Sequence, residues 1–167
     1  MTHSREGGCT CGHIRYRMTG DPIIVHCCHC SWCQTQTGSA FVINALTEAE
    51  NVELLQGAVE EIATPSPSGK GQTIARCPKC HVAVWSNYFM GGLRERVRFV
   101  RVGTLDDPGA VPPDVHIFTE TKLPWVQIPA DHKKVDVFYD IAATYRPDSL
   151  ARRAALFAAA GIAEPGR

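Results

Sequence analysis

Thr73-Ile74-Ala75-Arg76-Cys77-Pro78-Lys79-Cys80-His81-Val82-Ala83-Val84-Trp85 decides how this chain is read. A short β-branched run enters a Cys-Pro-Lys-Cys turn, and a second apolar run leaves it. That is strand, knuckle, strand, the arrangement in which a tight turn offers two sulfurs to one ion. Two cysteines alone cannot close a tetrahedron, so partners are expected elsewhere in the chain. Six further cysteines lie in two more tight groups, Cys9-Thr10-Cys11 and Cys27-Cys28-His29-Cys30-Ser31-Trp32-Cys33.

The surrounding sequence reads as short strands and turns. Ile14 to Met18 alternates apolar and polar residues, as a half-buried strand does. Gly20-Asp21-Pro22 is a turn, and Ile23 to Cys27 is a β-branched strand leading into the middle group. A third strand is expected over Gly38–Ile43 and one helical turn within Asn44–Glu50. A hairpin is expected around Gly57, between Val52–Gln56 and Val59–Ala63. Val97–Val102 and Val115–Thr119 are further strands, joined by a proline-rich stretch. Asp148 or Ser149 is expected to cap a terminal helix, Leu150–Ala160, ended by Gly161. The expected architecture is mainly β: a zinc-binding domain over residues 1–140 and a tail over 141–167 that carries a short helix as an appendage.

Bulk properties narrow the function. The chain has 167 residues, 44% of them hydrophobic, enough for one domain with a core. Seventeen basic residues balance seventeen acidic ones, so no electrostatic footprint for nucleic acid is expected. No stretch reaches the ~20 apolar residues of a membrane span. Met1 to Glu6 lacks the apolar core of a signal peptide, so a cytoplasmic location is expected. In that reducing compartment the cysteines are read as metal ligands rather than disulfides.

Cys9, Cys11, Cys77 and Cys80 make the obvious closed site, two sulfurs from each of two knuckles. Cys27, Cys28, Cys30 and Cys33 remain. Neighbouring side chains of an extended segment point to opposite faces, which favours Cys28, Cys30 and Cys33 as ligands and leaves Cys27 out. Three protein ligands leave an open position, the catalytic pattern; all four would make a closed structural site. Three thiolates against Zn²⁺ leave a net charge near −1, better suited to holding a further sulfur as thiolate than to activating water.

Gly8-Cys9-Thr10-Cys11-Gly12-His13-Ile14-Arg15-Tyr16, then Cys28-His29-Cys30-Ser31-Trp32-Cys33 with Thr37-Gly38 following, then Cys77-Pro78-Lys79-Cys80, resembles the glutathione-dependent formaldehyde-activating enzyme family, which includes centromere protein V relatives. The resemblance runs from about Gly8 to about Asp140. It implies a β-tent (Mss4-like) fold carrying two zinc ions. Cys9, Cys11, Cys77 and Cys80 would hold the structural ion, and Cys28, Cys30 and Cys33 the catalytic one near a glutathione site. The implied activity is condensation of glutathione with formaldehyde to S-hydroxymethylglutathione, a carbon–sulfur lyase reaction run in reverse. Arg76 and His81 depart from the family, which commonly has an aromatic residue and a glycine at those positions.

Other residues are candidates on their own chemistry. Alternation turns His29 away from the metal, toward a supporting or surface position, and His26 reads as an ordinary strand histidine, with a fourth metal ligand as the alternative. Gln34, Thr35 and Thr37 read as helix caps or substrate contacts, with capping preferred. Lys70 sits in a glycine turn, where solvation is the simpler reading, although it would suit a ligand carboxylate. His116, Lys122 and Trp125 are candidates to line a pocket, with Trp125 packed on a sheet edge as the alternative. Besides a thiol-active zinc enzyme, the pattern allows a zinc-stabilised binding module whose two sites are both closed, with Cys27 as the discriminating residue.

Overall fold

The computed structural model describes residues 3–165. Residues 1–2 and 166–167, at the outer ends of the expected 1–140 and 141–167 segments and of the stretch read for an export signal, lie outside the described residues. The ten strands are β1 (Ser4–Gly8), β2 (Arg15–Thr19), β3 (Ile24–Cys28), β4 (Val42–Glu48), β5 (Val52–Gln56), β6 (Glu60–Thr64), β7 (Gln72–Arg76), β8 (Ala83–Tyr88), β9 (Val97–Arg101) and β10 (Val115–Ile117). The helices are α1 (Ser31–Thr37), α2 (Ile141–Thr144) and α3 (Pro147–Ala160). One sheet has the order β1-β2-β5 and the other β10-β3-β4-β9-β8-β7-β6. The fold is mainly β with a C-terminal helix, as expected. Neighbouring strands are antiparallel except β10, which runs parallel to β3.

The two faces of the larger sheet do different work. Val25, Ala45, Val100, Trp85 and Ala75 form one core with Ile14, Tyr16 and Met18 of the small sheet region. In β2 the alternation is clean: Tyr16 and Met18 are buried, while Arg15 and Arg17 reach outward to Asp106 and Glu6. The opposite face carries Ile24, Cys28, Val42 and Leu46, covered by Tyr139, Tyr145 and Phe157. β3 is therefore buried along its whole length, and its sequence reads as a continuous apolar run.

Several expectations are corrected. Val52–Gln56 and residues 59–63 do not form a hairpin: β5 pairs with β2 in the small sheet, and β6 pairs with β7 in the large one. Gly57 (φ +77°) turns the chain from one sheet to the other, so close to the carbonyl of His13 that a Cβ would collide with it. The strand expected over 38–43 starts at Val42 and runs to Glu48, because α1 occupies the stretch before it and ends on Gly38 in the left-handed region (φ 63°). Of the expected 44–50 turn only Ala49 and Glu50 are helical, in a 3₁₀ turn over Ala49–Asn51, and the rest belongs to β4. β1 was not expected.

The tail is no appendage. Phe157 is 2% exposed within the second core. Helix α3 starts one turn earlier than expected because Pro147, at its first position, is already set for helical φ. Ser149 does not cap it: its hydroxyl donates to the Ile23 carbonyl at 2.7 Å, tying the helix to the sheet. Gly161 ends it in the left-handed region, as expected.

Candidate metal centres

The eight cysteines are all free thiols, grouped by the fold into distinct clusters. Cys9, Cys11, Cys77 and Cys80 bring four sulfurs within 4.8 Å of one another. Cys9 and Cys11 lie 3.5 Å apart, and Cys11 and Cys77 3.7 Å. A tetrahedron of sulfurs around zinc at about 2.3 Å has edges of about 3.8 Å, so the donor set fits that ion. Each knuckle is shaped by amides turned onto sulfur. The Ile14 amide donates to Cys9 Sγ at 3.2 Å, and the Lys79 amide to Cys77 Sγ at 3.4 Å. The Val82 amide, then Cys11, hold Cys80 down to about 6. His81 takes φ +61° directly after Cys80, a left-handed position that glycine adopts without strain.

Cys28, Cys30 and Cys33 form the second all-sulfur cluster, also within 4.8 Å. β3 delivers Cys28, and the following turn delivers the other two. Cys30 caps α1, its sulfur accepting from the Cys33 amide at 3.4 Å. Hydrogen bonding from Cys28, then Cys33, holds Cys30 down to about 2, while hydrogen bonding with Cys30, then Cys33, pushes Cys28 up. Three sulfurs gathered this closely suit a thiophilic cation. Among the described residues, no fourth Cys, His or acidic donor joins this group.

The three sulfurs open onto a cavity of about 730 Å³. Its floor is one face of the large sheet, read at period two: His26 and Cys28 on β3, Asn44 and Leu46 on β4, Phe99 and Arg101 on β9. Phe138, Tyr139 and Tyr145 form part of the wall. Arg101 is 8% exposed, and its Nη1 donates to Asn44 Oδ1 at 2.5 Å. Burial lowers its pKa, partly offset by the negative charge of Cys33 and Cys28. His26 Nε2 lies 2.5 Å from Tyr139 Oη, and burial lowers the imidazole to about 4.

Cys27 lies apart from this trio. It pairs across the parallel ladder with His116, and Cys27, His29 and His116 make a third cluster within 4.8 Å. His29 is therefore neither at the surface nor simply supporting the second cluster: it is 0% exposed, with Nε2 3.0 Å from His116 Nδ1. His26 lines the cavity. Gln34 does not cap: its Nε2 donates to the carbonyls of His29 (2.7 Å) and Thr121 (3.0 Å). Thr37 bonds back to the Cys33 carbonyl at 2.8 Å, and Thr35 is exposed; the caps of α1 are Cys30 and Gly38. Lys70 is exposed and lies over the Phe89 ring. Lys122 donates to the Val126 carbonyl at 2.8 Å, and Trp125 is 70% exposed, lining neither the cavity nor a packed sheet edge.

Arg101, Phe99 and Tyr139 were missed from the sequence. Arg101 sits in an alternating strand, where an arginine reads as solvent-facing. Only the depth of the cavity behind that face reveals otherwise.

No helix of the described residues is long and apolar enough to cross a membrane. A comparison with curated proteins returns no match. Among solved structures, a crystal structure of a Rhodobacter sphaeroides protein is similar over 60% of this chain and 87% of that one, with 16% identity and a TM-score of 0.43. The family described as glutathione-dependent formaldehyde-activating enzyme matches residues 4–121, which include all eight cysteines and both all-sulfur clusters. The chain belongs to the glutathione-dependent formaldehyde-activating enzyme family.

Proposed function

We propose that this protein is a zinc-dependent enzyme of carbon–sulfur bond chemistry, acting on glutathione or a related small thiol. Its leading reaction is condensation of glutathione with formaldehyde to S-hydroxymethylglutathione. Cys9, Cys11, Cys77 and Cys80 would hold a structural zinc, and Cys28, Cys30 and Cys33 a catalytic one. The observation that carries this reading is the open trio: three convergent sulfurs at the edge of a cavity, with Cys27 on the other face. A closed binding module would need Cys27 as a fourth ligand.

Zinc held by three thiolates supplies a position where an incoming thiol stays deprotonated near neutral pH. The rest falls to the chain. In the condensation, the glutathione sulfur attacks the formaldehyde carbon. A carbon–sulfur bond forms as the carbonyl π bond opens, and the thiol proton ends on the new hydroxyl oxygen. Arg101, buried in the same cavity as Cys28 and Cys33, would offset the negative charge of the sulfurs. Phe99, Tyr88, Phe138 and Tyr139 line the cavity and exclude water from the reacting atoms. Arg101 and Arg153 are cations lining the cavity, Arg153 being paired with Glu164, which leaves Arg101 as the cation for a carboxylate-bearing thiol.

The test is cobalt substitution followed by thiol titration. Glutathione is expected to change the cobalt spectrum of the three-cysteine site and to speed formaldehyde consumption above the uncatalysed rate. A spectrum unmoved by millimolar glutathione or other small thiols would overturn the proposal.

A further inference from the structure

The fold gathers one thiol and two imidazoles where the all-sulfur clusters have no part. Cys27 and His29 share one face at the end of β3, and His116 is delivered beside them by β10. All three are buried. His29 Nε2 lies 3.5 Å from Cys27 Sγ and 3.0 Å from His116 Nδ1. We propose that Cys27 Sγ, His29 Nε2 and His116 Nδ1 form a third metal site, a mixed sulfur–nitrogen site for a zinc-type divalent cation, distinct from both all-cysteine centres.

Three features carry it. First, the spacing fits. Zinc bonds of about 2.3 Å to sulfur and 2.0–2.1 Å to nitrogen give tetrahedral edges of about 3.6 Å between sulfur and nitrogen and about 3.3 Å between nitrogens. The same arithmetic accounts for the sulfur spacing of the four-cysteine cluster. Second, His29 Nε2 carries either one proton or one lone pair, so it makes one good hydrogen bond, yet two neighbours converge on it. A cation between the three atoms satisfies all of them at once. Third, His116 is oriented as a ligating histidine is. Its far nitrogen, Nε2, lies 3.1 Å from His132 Nδ1. A proton on His116 Nε2 donated to His132 leaves Nδ1 with its lone pair turned toward Cys27 and His29.

One thiolate and two neutral imidazoles leave a zinc site with net charge near +1, the reverse of the trio across the sheet. The donor set is borderline, suited to Zn²⁺ and Co²⁺ rather than to Mg²⁺ or Ca²⁺.

The test is metal counting on the full chain, stripped and reloaded with Co²⁺ under reducing conditions. Wild type is expected to bind three equivalents. Cys27→Ser is expected to bind two and to lose the charge-transfer intensity of one cobalt–sulfur bond. His116→Gln is expected to bind two as well, with its cysteines intact. Either variant should keep the glutathione response of the three-cysteine site, so this site and the proposed catalytic one fail separately. Saturation of wild type at two equivalents that Cys27→Ser and His116→Gln leave unchanged, which would mark the cluster as a hydrogen-bonded relay, overturns the proposal. So does a third equivalent that survives Cys27→Ser. Should one variant not fold, the other and the wild-type count still decide.

Discussion

Cys27 and Cys28 are neighbours in sequence, yet their sulfurs belong to different clusters on opposite faces of one sheet. The cause is the two-residue period of an extended strand. Residues of β3 alternate between the core shared with the small sheet and the cavity. One backbone therefore serves both clusters, with His29 continuing the Cys27 face and Cys30 turning back toward Cys28 as it caps α1.

Loss of a four-cysteine ligand is expected to cost far more than its own packing. Binding energy at a structural metal site is folding energy, so Cys80→Ser should destabilise the domain by about 4 kcal/mol or more. Chelator-dependent thermal unfolding measures it. A variant as stable as wild type would remove this cluster from the fold's support.

Arg101 should separate function from stability. Its Nε has no hydrogen-bond partner among the described residues, and its charge is desolvated. The relief from no longer burying a desolvated charge is set against the loss of the Arg101–Asn44 bond. Arg101→Met is therefore expected to leave the melting temperature unchanged or raised while weakening thiol binding about tenfold, or by about 1.4 kcal/mol. Isothermal titration with glutathione and a melting curve on one sample provide both readouts.

The helix–sheet tie between Arg152 and Glu48 gives the stability an acid limb. Nε and Nη2 of Arg152 reach the two carboxylate oxygens at 2.7 and 2.5 Å. Burial pushes Glu48 up, but the bonds from Arg152 and its own backbone outweigh that and hold it below the usual carboxylate range. A carboxyl depressed in the folded state contributes its stability above the unfolded value of about 4.3 and loses it as pH falls through the folded value. Arg152→Leu should thus cost about 2 kcal/mol at neutral pH, between the values of surface and buried pairs, and progressively less in acid. Denaturant melts at pH 7 and below pH 4 would check the convergence.

His81→Gly is expected to stabilise the third knuckle. The left-handed backbone at φ +61° costs a residue with a Cβ about 1 kcal/mol, and glycine removes that cost. The His81 carbonyl still accepts from Arg76 Nη1 at 2.9 Å, since that bond involves only backbone on the His81 side. A rise of a few degrees in melting temperature is the expected readout; a fall would mean that the imidazole contributes more than the strain removes.

Phe157→Ala should cost about 3–5 kcal/mol if helix α3 belongs to the core, as its burial indicates. Chemical denaturation of the variant gives the value directly. A change below about 0.5 kcal/mol would return the helix to the status of an appendage.

Much of this was legible in the sequence, and the limits have physical causes. The knuckle at Cys77–Cys80 and the strands on either side were readable because both signals are local. The alternation of β2 was readable because one face is wet. The 52–64 stretch was misread because Gly57 marks a turn but not which sheet the chain enters next. The start of α3 was misread because Asp148 and Ser149 are good caps, whereas Pro147 outranks them by position. The cluster of Cys27, His29 and His116 was out of reach, since it depends on β10 lying parallel to β3 across a long crossover. No spacing rule encodes that register.

The cavity wall is assembled from two parts of the chain. The family match ends at residue 121, after the cysteines, whereas Phe138, Tyr139, Tyr145 and Arg153 come later in the chain. The cysteines and the sheet floor of the cavity thus lie within the matched stretch, and part of its wall lies beyond it. Evolution, or a designer, can exchange the later stretch and reshape that wall, leaving every cysteine where it stands.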